Sequence, residues 1–103
     1  MDRIAQLKAF LEKNPKDNFL RHALALEYVK LGDEQTAKSY FEENISLNKE
    51  YVASYYHLGK LLERIGDEDA AIAIYASGME VAKSINDQHS FSELRSVYEE
   101  LTF

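Results

Sequence analysis

The stretches "KLGDEQTAKSYF" (residues 30–41) and "RIGDEDAAIAIY" (residues 64–75) decide the fold. Both carry Gly-Asp-Glu followed three residues later by Ala, with basic, aliphatic and aromatic positions matched around them. Gly32 and Gly66 each follow an apolar-periodic run and precede Asp. That is the pattern of a glycine in the left-handed conformation at one helix end and an Asp N-cap opening the next helix. Each Gly-Asp therefore reads as a tight helix-to-helix turn. A phosphate loop would need further glycines and a basic partner, which neither stretch supplies.

The two glycines are 66 − 32 = 34 residues apart. The same offset matches Leu24 with Leu58, Ala25 with Gly59, Ala37 with Ala71, Phe41 with Tyr75 and Ile45 with Met79, so the repeat spans a whole helical hairpin. Counting back another 34 from Lys49 reaches Pro15, and residues 4–17 read as a lone second helix. The chain is expected to open on half a unit. Paired small residues, Ala25 with Ala37 and Gly59 with Ala71, let antiparallel helices approach closely, and Phe41 and Tyr75 fill the space beside each crossing. In the final segment, residues 86–103, Phe91, Leu94, Tyr98 and Leu101 share one face, while Glu93, Arg95, Glu99 and Glu100 lie on its outer side. It reads as a terminal cap opened by a capping box at Ser90–Glu93, with Asp87 an alternative start.

Composition bounds the function. The 103 residues, 46% hydrophobic, fit one domain with a core of its own. Without cysteine, thiolate catalysis and thiolate metal sites are excluded. The net charge is −6, and residues 1–34 balance six basic against six acidic side chains, so the acidic excess lies beyond residue 34. Such a surface disfavours nucleic acid and anionic membranes. No secretion signal and no run of about 18 apolar residues is present, which gives a cytoplasmic expectation.

Apolar spacing at helical steps, one proline and four glycines make the chain all-α. With its 34-residue period it resembles the tetratricopeptide repeat family. The residues that carry the resemblance are Leu24, Ala25, Tyr28, Gly32, Ala37 and Phe41, then Tyr55, Leu58, Gly59, Leu62, Gly66, Ala71, Tyr75 and Gly78. Arg21, Asn44, Lys49 and Lys83 depart from the family pattern, and weaker packing is expected near Arg21 and Asn44. The resemblance implies a right-handed α-α superhelix of antiparallel helix pairs with a C-terminal capping helix. One domain is expected over 1–103, with a half-repeat at 1–16, repeats at 18–51 and 52–85, and the cap at 87–103.

Chemistry is sparse. His22, His57 and His89 are the available nitrogen ligands and none forms a HxxxH pair, so a zinc site would need adjacent repeats to bring His22 towards Tyr56 and His57. Ser39, Ser46, Ser54, Ser77, Ser84, Ser90, Ser92 and Ser96 sit in helical patterns without a nucleophile elbow. No enzyme activity, metal or cofactor is expected. The resemblance places Phe19, His22, Leu26 and Val29, then Ala53, Tyr56, Lys60 and Glu63, on a concave groove. The first of these helices, residues 19–31, has a core stripe of Leu20, Leu24, Tyr28 and Leu31, yet Phe19, Leu26 and Val29 form a second apolar stripe. Either the amino-terminal helix and the neighbouring repeat cover that stripe, or it serves a partner or self-association. The lysines and asparagines that some members use to grip a terminal carboxylate are missing, so a neutral apolar helix or extended segment is the expected ligand. The function expected is protein or peptide binding, with homo-oligomerisation through apolar helix faces as the alternative.

Circular dichroism is expected to show a mostly helical spectrum that exhaustive chelation leaves intact. A strand-dominated spectrum, or loss of helix on removing metal, contradicts the reading.

Overall fold

An aspartate opens five of the six helices of the computed structural model, whose described residues are 2–103. The helices are α1 (Arg3–Lys13), α2 (Asn18–Leu31), α3 (Glu34–Leu47), α4 (Ala53–Ile65), α5 (Glu68–Ser84) and α6 (Gln88–Thr102). Met1, the first residue of the expected half-repeat, lies outside the described residues. The side chains of Asp2, Asp17, Asp33, Asp67 and Asp87 accept from backbone N–H groups of the first helical turn at 3.0–3.3 Å. Each satisfies a donor that the helix cannot pair internally.

Gly32 and Gly66 close α2 and α4 with φ of 80° and 97°. The following Asp33 and Asp67 amides reach back to the carbonyls of Tyr28 and Leu62 at 3.0 and 2.9 Å, the hydrogen bond that closes a left-handed helix end. A third copy of this turn was not read from the sequence. Asn86 takes φ 59° and the Asp87 amide bonds Ala82 O at 2.8 Å, so Ile85-Asn86-Asp87 repeats Leu31-Gly32-Asp33 and Ile65-Gly66-Asp67 with asparagine in the glycine's place. Helix α6 accordingly starts at Asp87. The Ser90–Glu93 capping box is not used, because Ser90 itself donates to Asp87 through its amide and, at 2.8 Å, its hydroxyl.

Successive helices pack against one another in chain order, and α4 also meets α6. The molecule measures 44 × 29 × 19 Å. The short dimension is two helix diameters of about 10 Å each, which puts α2, α4 and α6 in one layer and α1, α3 and α5 in the other. The main core gathers Ala25, Ala37, Phe41, Leu58, Ala71, Tyr75 and Leu94, all essentially without exposure. A smaller cluster of Leu7, Ala23 and Leu24, with Ile4, Leu11 and Leu20 against it, holds α1 on α2.

Leu31 departs from the expected core stripe and is 68% exposed. Arg3, the first residue of α1, stands 3.3 Å from Glu27, so no turn of α1 extends far enough to cover the last residue of α2. Packing near Asn44 and Arg21 also differs from expectation. Asn44 is fully buried among hydrogen-bond partners, and the Arg21 side chain, 12% exposed, pairs with Glu43 and donates to Pro15 O.

Gly59 faces the Tyr75 ring. A Cβ at this position would sit 2.0 Å from Tyr75 Cε1, and that ring has no exposed edge toward which to retreat. Gly59→Ala is therefore expected to destabilise by about 1–3 kcal/mol, the typical cost of overpacking. The exposed Glu68→Gln is expected to stay within about 0.5 kcal/mol of the parent. Equal denaturant midpoints for the two would show that α4 and α5 do not cross at Gly59.

Candidate functional site

Three helices meet at one hydroxyl. Ser54, fully buried in the first turn of α4, lies 2.9 Å from His22 Nδ1 of α2 and accepts from Asn44 Nδ2 of α3 at 3.0 Å. A hydroxyl can accept from Asn44 and still donate to, or accept from, the His22 ring nitrogen, so Ser54 satisfies both neighbours at once. Asn18 donates to Asn44 Oδ1 at 2.7 Å, and Asn48 donates to Asn18 Oδ1 at 3.3 Å. The chain of polar groups joins the first repeat to the second. A serine–histidine pair at this distance has the spacing of a nucleophile and its base. Both residues, however, are buried, so the pair is closed to a substrate.

The His22 ring stands 5.2 Å from that of His57, 5.6 Å from Phe41 and 5.4 Å from Tyr51. Burial, and secondarily the charge of His57, lowers the His22 pKa to about 4. Burial also lowers that of His57, against the opposing carboxylate of Glu93. Two adjacent imidazoles are thus kept neutral. Among the described residues no group of three or more His, Cys, Asp or Glu side chains is arranged to hold a metal ion.

Above this layer α2 and α4 part to leave a cleft of about 460 Å³, lined by Leu26, Val29, Phe41, His57, Lys60, Leu61, Glu63 and Arg64. A second hollow of about 320 Å³ lies between α4 and α6, lined by Val52, Ala53, Tyr56, His57, Ser90, Glu93 and Leu94. His57 borders both, so the two form one continuous face across α2, α4 and α6. Of the residues expected on a groove, Leu26, Val29, Lys60 and Glu63 come together in the first cleft and Ala53 and Tyr56 in the second. Phe19 lines neither and is 64% exposed. His22 is only 8% exposed and underlies the face rather than presenting itself on it. Helix α1 packs on Leu20, Ala23, Leu24 and Tyr28, and so leaves Leu26 and Val29 on the cleft.

Sequence reasoning missed His57, Leu61, Arg64, Ser90 and Glu93. A helical projection of α4 places His57, Leu61 and Arg64 on the side next to Lys60, a signal that was there to find. The floor of the face is also polar: Tyr75 donates to Glu63, and burial, then Glu63, raises the phenol's pKa, with smaller contributions from Tyr56 and Glu100. The opposite layer has its own cleft of about 360 Å³ between α3 and α5, which includes Lys38, Glu42, Ile45, Ala70 and Ile74. No helix among the described residues is long and apolar enough to cross a membrane.

A profile of the tetratricopeptide repeat family matches residues 20–51 and 52–84. No curated protein matches the chain. A tetratricopeptide repeat domain protein from Salinibacter ruber is similar in its crystal structure, at 42% identity over 84% of this chain and 96% of its own, with a TM-score of 0.78. Its solution NMR structure gives 42% identity over 84% of this chain and 88% of its own, with a TM-score of 0.81. A protein from Bordetella parapertussis shares the fold at 24% identity, over 99% of this chain and 89% of its own, with a TM-score of 0.84.

The buried histidine makes stability depend on pH. Its folded pKa lies below the unfolded value, so the unfolded chain takes up the proton first. The contribution is complete above about pH 6.5, is lost as the pH falls, and is exhausted near pH 4. At 1.36 kcal/mol per pKa unit the expected loss is on the order of 3 kcal/mol. Denaturant midpoints between pH 7.5 and 4.5 measure it, and His22→Gln should flatten the slope. An unchanged slope in the variant would contradict the assignment.

Proposed function

The chain belongs to the tetratricopeptide repeat family, whose repeats mediate protein–protein interaction, and we propose that it captures a segment of a partner protein on the face of α2, α4 and α6. The observation that carries this reading is the second apolar stripe of α2. Leu26 and Val29 are half-buried from beneath yet open to a cleft that no element among the described residues fills. An apolar side chain entering there would meet Leu26 and Val29 above a buried floor of Phe41 and Leu61 and displace water from the two half-buried side chains. Lys60 and Glu63 at the cleft wall supply polar contacts that fix orientation.

The chemistry for catalysis is not assembled on this face. His22 and Ser54 are spent on each other and on Asn44, and the hydroxyl of Ser90, in the same hollow as His57, is spent on Asp87. The module is read as non-enzymatic. Self-association is the second reading, favoured by Phe10 on α1, which is 56% exposed. The outer side of α6 opposes an end-to-end stack, since Ser92, Arg95 and Ser96 are exposed there. Light scattering at two concentrations separates the readings, a concentration-dependent mass supporting the second.

Leu26→Glu is expected to lower partner capture at least about tenfold, equivalent to roughly 1.4 kcal/mol, by setting a charge in the path of an apolar side chain. Its stability should stay within about 1 kcal/mol of the parent because the side chain is open to solvent. Ile74→Glu, in the cleft of the opposite layer, should leave capture unchanged. Pull-downs and melts on the same samples decide it. Retained capture by the Leu26 variant, or loss with the Ile74 variant alone, would move the site off this face.

A further inference from the structure

The charge around the face is one-sided. Its apolar part lies between α2 and α4, where Glu63 lines the wall, whereas the α6 flank carries the exposed Glu93, and the exposed Glu100 lies two turns further along α6 at the edge of its outer side. Their possible counter-ions are largely engaged or uncharged. Lys60 stands 3.8 Å from Glu63 and offsets that group alone. Arg64 turns away to Glu34 of α3 at 2.7 Å. His89 lies 3.6 Å from Glu93 and offsets it only when protonated. Glu100 forms no ion pair among the described residues, and its charge reaches the Tyr75 hydroxyl. Glu63 and Glu93 therefore line the ligand space, with Glu100 at its rim, against Lys60 and an Arg64 already paired with Glu34.

We propose that the occupant of this face is a basic, extended peptide segment, with a bulky aliphatic side chain in the α2–α4 cleft and a lysine or arginine at Glu93 and Glu100 on α6. This rests on the groove reading above and replaces the neutral ligand expected from the sequence with a cationic one. The spacing follows from the helices. Neighbouring helices lie about 8–10 Å apart, so the middle of the α2–α4 cleft lies roughly 14 Å from α6. At about 3.3 Å per extended residue, that distance separates the aliphatic and cationic residues by about four positions. An acidic segment would meet like charge on the same flank, so the face also selects against the commoner acidic surface.

The test uses four labelled, end-blocked ten-residue peptides in a Ser/Thr background. One carries Leu-Leu near one end and Arg-Arg about four residues on; the others replace the arginines with glutamines, the arginines with glutamates, or the leucines with serines. Fluorescence anisotropy is followed with the protein titrated into the millimolar range. The Leu/Arg peptide is expected to bind at least about tenfold tighter than the Leu/Gln peptide, and the Leu/Glu peptide weakest. Raising salt from 50 to 300 mM should remove most of the arginine advantage. In the doubly substituted Glu93→Gln/Glu100→Gln protein, both sites being exposed, the Leu/Arg peptide should fall to the Leu/Gln level while the dependence on leucine remains. Equal binding of the arginine and glutamine peptides, with Leu26→Glu abolishing both, would overturn the basic ligand and leave the groove standing. Failure of every peptide to bind the parent protein would overturn both.

Discussion

The Ser54 hydroxyl is the joint between the two repeats. Within a repeat, the hairpin is fixed by steric fit, as at Gly59 beneath the Tyr75 ring. Between repeats, apolar contact alone would let one hairpin slide along the other, since hydrophobic burial is non-directional. The hydrogen bonds from Asn44 to Ser54 and between Ser54 and His22 allow no such freedom. Shifting α4 by one residue would leave three buried polar groups unpaired, each at about 1–3 kcal/mol. No buried side-chain nitrogen or oxygen among the described residues lacks a partner. Register, and with it the parallel placement of α2 and α4 that opens the cleft, depends on this contact.

Burial of the joint has an electrostatic corollary. Holding His22 and His57 neutral keeps imidazolium charge from forming beneath the proposed face as the pH falls, so Glu93 gains no added compensation from below. A rigid helical face of this kind also loses little conformational freedom when a segment binds, and the ordering cost falls on the ligand.

The repeat architecture was legible because it is written locally. Gly-Asp turns, small crossing residues and a fixed 34-residue offset all act within a few helical turns of one another. The third turn escaped because asparagine replaces glycine in Ile85-Asn86-Asp87, although the flanking Ile and Asp kept the pattern. The polar joint was not legible at all: Asn18, His22, Asn44 and Ser54 are scattered over two repeats, and nothing periodic links them. On the face itself, the apolar stripe of α2 was visible by helical spacing, but a fixed offset carries Glu63 onto Val97, which is buried. Helix α6 starts 88 − 53 = 35 residues after α4, the step by which α4 follows α2, so the spacing of the helices repeats while the residue pattern within α6 does not, and Glu93 and Glu100 passed as the outer side of a cap.

The account stands on the claim that α2, α4 and α6 present the ligand face and that the α3–α5 layer does not. Methyl-labelled NMR during titration with the Leu/Arg peptide reads both layers at once. Shifts confined to Leu26, Val29, Leu61 and Ala53 are the predicted result. Shifts centred on Ile45, Ala70 and Ile74, with Leu26 and Val29 unmoved, would contradict it.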